Sequence, residues 1–278
     1  MDFSLYISNL RENYTYNPID ISIGFFAMCS YQPQAWDYVF ENIRKHYPDA
    51  PIVLMNDGLE QHDYSNMAKK YNCFYIKKDK NICLLWNDIK DAYEFINRTK
   101  EACDKLNTEW LINLHPDVIC QNKISYNPPS FICGVGAGSN NGISNNNFDC
   151  SSEWKKIDNY IKQFQPNVRL NGWGFCGGSI MNIEKFNEIY DSIYSENPLI
   201  RLESIESVYK EAVKYEDTLL PILFNLKGYE YRIWKDNPEW HRRGTTNGAF
   251  LHGYKNHYDF YIKGETIDDF NKKRTLLK

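Results

Sequence analysis

The sequence predicts an α/β fold in which a central, mostly parallel sheet is flanked by helices, and three stretches carry that prediction. Residues 107–120 contain an apolar run around Trp110 and Leu114 that breaks at His115, Pro116 and Asp117 and resumes at Val118 and Ile119. Residues 21–28, 36–43 and 51–55 read as strand, helix and strand, a βαβ unit whose parallel pairing calls for a right-handed crossover. Residues 86–106 carry Ile89, Ala92, Tyr93, Ile96, Ala102 and Cys103 at helical spacing and lead into the Trp110 strand.

Taken in order, residues 1–18 are polar and rich in Tyr and Asn, and are read as a surface cap. After the strand at 21–28, the apolar residues Trp36, Val39, Phe40 and Ile43 line one side of a helix that ends near Tyr47 and Pro48. The strand at 51–55 is closed by a turn at Asn56, Asp57 and Gly58. A helix at 64–70 and a strand at 73–76 precede the long helix. Pro116 cannot donate to a ladder, so the strand through Leu114 stops there, and His115 and Asp117 stand at a strand end, where open α/β sheets collect ligands. A plain polar turn accounts for the same residues.

Residues 131–135 read as a further strand, and the Gly/Asn/Ser-rich stretch 136–147 as a long loop, expected to be a lid or a mobile edge. Gly172, Gly174, Gly177 and Gly178 let backbone approach a ligand closely, since no Cβ intervenes, although a glycine-rich hairpin reads the same way. Residues 179–181 are apolar and a helix starts near Ile183. Tyr215, Glu216 and Asp217 open another helix, where the acids suit the positive end of its dipole and simple capping would explain them. Near the end of the chain His252 stands beside Gly253 and two residues before Lys255.

A chain of 278 residues without a low-complexity linker suits one elaborated domain, expected at 21–260 with a cap segment at 1–20 and a tail at 261–278. Its 42% hydrophobic and 15% aromatic content can bury a sizeable core. A formal net charge of -4 excludes nucleic-acid binding through a basic field. The 8 cysteines form no CxxC pair, so neither a zinc cluster nor a redox motif is indicated. With no signal peptide and no apolar stretch of spanning length read, the expected setting is cytoplasmic, with no membrane span.

Together, an acid-bearing strand end, a glycine-rich turn, an acidic pair on a helix and a late His resemble the landmarks of nucleotide-sugar glycosyltransferases of the GT-A fold. The closest pattern is that of the inverting glycosyltransferase family 2-like group. The resemblance runs from about Ile21 to Lys255. It implies a Rossmann-like GT-A domain that transfers a hexosyl or related sugar to a glycan or other hydroxyl acceptor. A UDP-sugar is the favoured donor and Mn²⁺ or Mg²⁺ the assisting metal. The family pattern has Asp-x-Asp where this chain has His115, Pro116 and Asp117, so one negative charge is lost.

On that resemblance Asp117 and His252 are the metal ligands, with His115 as a further ligand or a partner of the donor ribose. Asp217 is the general base and Glu216 contacts the acceptor or orients the loop. Asp57 would accept from the nucleoside and Tyr31 stack on the base. Arg98 and Lys255 would meet the diphosphate, and Gly177 and Gly178 would let backbone reach the donor. Trp173, Trp234 and Trp240 are candidate acceptor platforms or core residues. The stretch from His252 to Lys255 is similar to retaining members, whereas the acidic pair favours inversion. A nucleotidyltransferase on a similar sheet would call for a basic glycine-rich loop near the first strand, and residues 27–32 have none. An inactive nucleotide- or glycan-binding relative remains the alternative that His115 suggests, and oligomeric state is left open.

Overall fold

The computed structural model describes residues 18–30, 33–58, 63–82, 88–134, 152–168, 174–237 and 248–251. Four strands pair in parallel: β1 (Ile23–Cys29), β2 (Ile52–Asn56), β3 (Phe74–Lys77) and β4 (Trp110–Leu114), side by side in the order β3-β2-β1-β4. Beyond β4 the sheet continues with β7 (Ile180–Asn182), β6 (Ile132–Gly134) and β8 (Tyr231–Ile233). β7 is antiparallel to both of its neighbours, and β6 and β8 are parallel to each other. A separate antiparallel ribbon joins β5 (Ile119–Cys120) to β9 (Phe250–Leu251). The expected α/β class with a mostly parallel central sheet is therefore what the chain forms.

Helices cover both faces, which is why β1 and β2 are buried along their whole length and read as continuous apolar runs. The helices are α1 (Pro33–His46), α2 (Ser65–Lys70), α3 (Ile89–Leu106), α4 (Ser152–Phe164), α5 (Ile183–Tyr194), α6 (Leu202–Val208) and α7 (Glu216–Leu226). On one face Phe26, Met28, Val53 and Met55 pack with Phe95 of α3, Phe186 of α5 and Leu223 of α7. On the other, Phe25, Ala27 and Leu54 pack with Trp36 and Phe40 of α1 and with Phe250 of β9. Among the described residues, no helix is long and apolar enough to cross a membrane. Five of the described cysteines are buried and all are free, in keeping with their reading as small hydrophobes.

The long helix begins where Asp88, in an extended conformation, accepts from the Lys90 amide, and it ends at Asn107 in the left-handed conformation (φ 49). Its buried stripe includes Phe95, Thr99, Ala102 and also Arg98. Arg98 is fully buried and donates to Asp57, itself fully buried at the end of β2. The same guanidinium donates to Glu94 (2.7 Å) and to the Lys80 carbonyl (2.6 Å). The Asp57 carboxylate also accepts from Asn81 (2.9 Å) and from the Ile82 amide (3.2 Å). This corrects the expectation for both residues. Asp57 and Arg98 face each other inside the protein, where they fix the 80–82 segment to β2 and α3, instead of presenting their charges to a nucleoside and a diphosphate.

Breaking the pair from one side leaves a buried, uncompensated charge. Arg98→Met is expected to lower stability by about 3–5 kcal/mol, and adding Asp57→Asn to it to recover part of that loss. Urea unfolding of the two variants measures both effects, and a loss under about 1 kcal/mol for Arg98→Met would show the pair to be unimportant.

Candidate active site

β1 leads to β2 on one side of the sheet, whereas β4 lies on the other side of β1, so the strand order reverses between β1 and β4. Crevices form at such points beyond the carboxyl ends of the strands. β4 ends there with Asn113 and Leu114, His115 follows, and the chain turns at once, the Val118 amide donating to the His115 carbonyl (3.2 Å). Pro116 explains the stop, as the sequence indicated.

The glycine-rich turn docks onto this end from the side. The Gly178 amide donates to the Asn113 carbonyl (2.7 Å) and the Asn113 amide to the Ser179 carbonyl (2.9 Å). A Cβ on Gly177 would lie 2.2 Å from Val118 Cγ2 and 2.8 Å from His115 Cβ. Gly178 has φ +81, and a Cβ there would lie 2.8 Å from Phe250 Cβ. Both glycines thus permit backbone to approach protein rather than a donor, which revises their expected role. From behind, Asn237 Nδ2 donates to the Gly177 carbonyl (3.2 Å). The adjacent Asp236 carboxylate accepts from the amides of Ser125 (2.8 Å), Tyr126 (2.7 Å) and Ala249 (3.1 Å), holding β9 in place.

The acids arrive on the first turn of α7. The Asp217 carbonyl accepts from the amides of Gly174 (2.9 Å) and Phe175 (3.1 Å), which ties the helix start to the glycine turn. Its side chain accepts from the Cys176 thiol (Sγ to Oδ2 3.8 Å). Glu216 Oε1 lies 3.3 Å from His115 Nε2, and the Asn113 side-chain amide 3.2 Å from the same nitrogen. His115 and the Glu216–Asp217 pair, read on separate segments of the sequence, are therefore brought together.

Their charges interact. Burial pulls the His115 imidazole down, but the Glu216 hydrogen bond and the negative charges of Glu216, Asp117 and Asp217 outweigh it, and its pKa is raised. Burial, and then the charge of Glu216, push Asp217 up to about 6, against smaller opposing effects of His115 and of the Cys176 hydrogen bond. The Cys176 thiol is held well above its usual value by burial and then by Asp217, Glu216 and Asp117, so it stays a neutral donor. An acid with a pKa near 6 is suited to taking a proton near neutral pH.

Carboxylate oxygens and an imidazole nitrogen are donors that Mn²⁺ accepts, so the chemistry of this group fits a divalent cation. Among the described residues, however, no three His, Cys, Asp or Glu side chains are arranged to hold one. Phosphate oxygens or further residues would have to complete the coordination. His252 lies outside the described residues, as do Tyr31, Lys255, Trp173, Trp240 and the 136–147 loop. What is described is the strand before His252: Leu251 pairs with Ile119, two residues after Asp117. Trp234 is core rather than an acceptor platform, fully buried near Phe250 with Nε1 donating to the Tyr126 carbonyl (3.0 Å). An open cavity of about 540 Å³ near the amino ends of β1, β2 and β4, lined by Ile21, Tyr47, Pro51 and Ile124 among others, includes none of the site residues.

Sequence reasoning missed Asn113, Cys176 and Asn237. Asn113 had a signal, because it is the polar interruption of an otherwise apolar strand. Cys176 and Asn237 had none, since nothing local distinguishes a packed thiol or a turn amide from one that touches a site.

No protein-family model matches the chain, and no curated protein does. Among solved structures it is similar to a cytidylyltransferase from Leptospira borgpetersenii serovar Hardjo-bovis (strain JB197). Identity is 10%, over 93% of this chain and 94% of that one, with a TM-score of 0.47. It is also similar to the galactosyltransferase LgtC in complex with donor and acceptor sugar analogs. Identity there is 14%, over 76% of this chain and 72% of that one, with a TM-score of 0.44. At these scores neither likeness identifies a function.

The raised pKa of Asp217 has a consequence for stability. A folded-state pKa of about 6 against an unfolded value near 3.8 means that the folded protein binds the extra proton, so stability falls as pH rises from about 4 through about 6. Asp217→Asn removes that loss. At pH 8 the variant is expected to be more stable than the wild type by about 1–3 kcal/mol, partly offset by the weaker field on His115, with no gain below about pH 4. Thermal unfolding across that range checks it, and a variant less stable at pH 8 would contradict the buried-charge account.

Proposed function

We propose that the chain is a glycosyltransferase that moves a sugar from a nucleotide-sugar donor, with a UDP-sugar favoured, to a hydroxyl acceptor, with inversion and with divalent-metal assistance. The observation that carries this reading is the meeting of Asp217, with its raised pKa, and the His115–Glu216 pair at the reversal point of the sheet. Asp217 takes the proton from the acceptor hydroxyl as that oxygen attacks the anomeric carbon on the side away from the leaving nucleotide. Glu216 is engaged with His115 and holds the turn beside it, which leaves Asp217 as the acid available to the acceptor. Asp117, His115 and His252 would hold the metal, whose chemistry is to stabilise negative charge on the departing diphosphate. Lys255 would add a point charge there, and Tyr31 would stack on the base.

Turnover of UDP- and GDP-sugars with a panel of acceptor glycosides, with and without Mn²⁺, tests the reading. Asp217→Asn is expected to retain donor binding and to lose about 10²- to 10⁴-fold in transfer rate. Wild-type kcat should rise with pH through about 6 as Asp217 loses its proton. Near-normal turnover by Asp217→Asn would remove this base and favour a retaining route. Donor binding without any turnover by the wild type would favour a binding protein.

A further inference from the structure

α7 carries a proline in its interior, Pro221, four residues after Asp217. In an uninterrupted helix the amide of residue 221 would donate to the carbonyl of residue 217. Proline has no N–H, and its ring crowds that same carbonyl. The Asp217 oxygen is thus released from the helix ladder, and it is this oxygen that accepts from Gly174 at 2.9 Å and Phe175 at 3.1 Å. A proline inside a helix ordinarily weakens it, and here it is a buried residue of α7.

We infer that Pro221 is a positioning residue, which directs the Asp217 carbonyl to the glycine turn and so fixes the Asp217 carboxylate against Cys176 and beside the His115–Glu216 pair. The inference rests on the proposed role of Asp217 as base. Restoring an N–H at position 221 lets the helix reclaim the Asp217 carbonyl. The Gly174 and Phe175 amides then lose their acceptor, and the first turn of α7 is free to rotate away from the turn that carries Cys176. The rest of α7, whose buried residues pack against the sheet, is retained.

The test uses the full chain with Pro221→Ala, and Pro221→Val as a second variant that restores the N–H while filling more of the space the ring leaves. Amide hydrogen exchange at Gly174 and Phe175 is read alongside thermal stability, kcat, acceptor KM and the pH profile of kcat. Both variants are expected to keep or raise the melting temperature, to lose about tenfold or more of the protection at the two amides, and to lose at least about tenfold in kcat. The lower limb of the pH profile should shift from about pH 6. Unchanged exchange at the two amides overturns the inference, as does lost protection with an unchanged kcat and pH profile. A loss of kcat confined to Pro221→Ala would assign the effect to a cavity and overturn it as well. If the wild type transfers no sugar, the proposed function fails, and the exchange arm still decides whether Pro221 sets the contact.

Discussion

A single backbone oxygen joins the parts of this site. The Asp217 carbonyl accepts two amides of the glycine-rich turn, and through that turn α7 is held to the end of β4. The consequences run in both directions along the chain. Toward β4, Gly178 and Ser179 continue from the turn into a ladder with Asn113, so the turn becomes the entry into β7. Toward α7, the contact fixes the first turn, where Tyr215 provides no side-chain cap. That contact holds the first turn through a carbonyl that accepts from a distant segment, Gly174 and Phe175 being the donors.

The close approach depends equally on what is absent. With no Cβ at Gly177, the turn lies against His115 and Val118, and His115 packs directly on its backbone. A side chain there would have to displace the Val118 methyl and the His115 ring at once, and His115 could not then stay within 3.3 Å of Glu216. The glycines read from the sequence as a surface for a ligand are a surface for the protein itself. Their chemical effect is indirect, because they set the spacing between an imidazole and two carboxylates.

The layers of the fold were legible because their signals are local. The βαβ unit, the long helix and the strand broken by Pro116 each announce themselves by period or by a breaker within one segment. The positions of the candidate residues His115, Glu216 and Asp217 at element ends were legible for the same reason. What escaped depends on distant partners. Arg98 and Asp57 are 41 positions apart, and only pairing shows that each neutralises the other. Even so, Arg98 shares the buried stripe of Phe95, Thr99 and Ala102, a spacing that marks it as inward-facing before any partner is known. β8 and β9, at 3 and 2 residues, are too short to show a period, and they exist because neighbouring strands offer ladder partners. α4 spaces Ile157 and Ile161 one helical turn apart, but it follows a Gly/Asn/Ser-rich stretch that dominates the local composition.

Charge gives the proposed metal a reason independent of any motif. Asp117, Glu216 and Asp217 all act on His115, and even a protonated imidazole offsets only one of the three. A nucleoside diphosphate entering this cleft would bring further negative charge, and each like-charge pair at about 4 Å is unfavourable by about 4 kcal/mol at an effective dielectric constant near 20. Four amides of the glycine turn, those of Gly174, Phe175, Gly178 and Ser179, are committed to Asp217, Asn113 and Cys176 and so do not serve an anion. The buried guanidinium nearest in role, Arg98, is committed to Asp57. On the proposed reading, compensation would enter with the donor or come from residues such as Lys255. A divalent cation would meet that requirement, with Asp117 among the residues that would hold it, because it would turn a repulsion between anions into attractions to one ion.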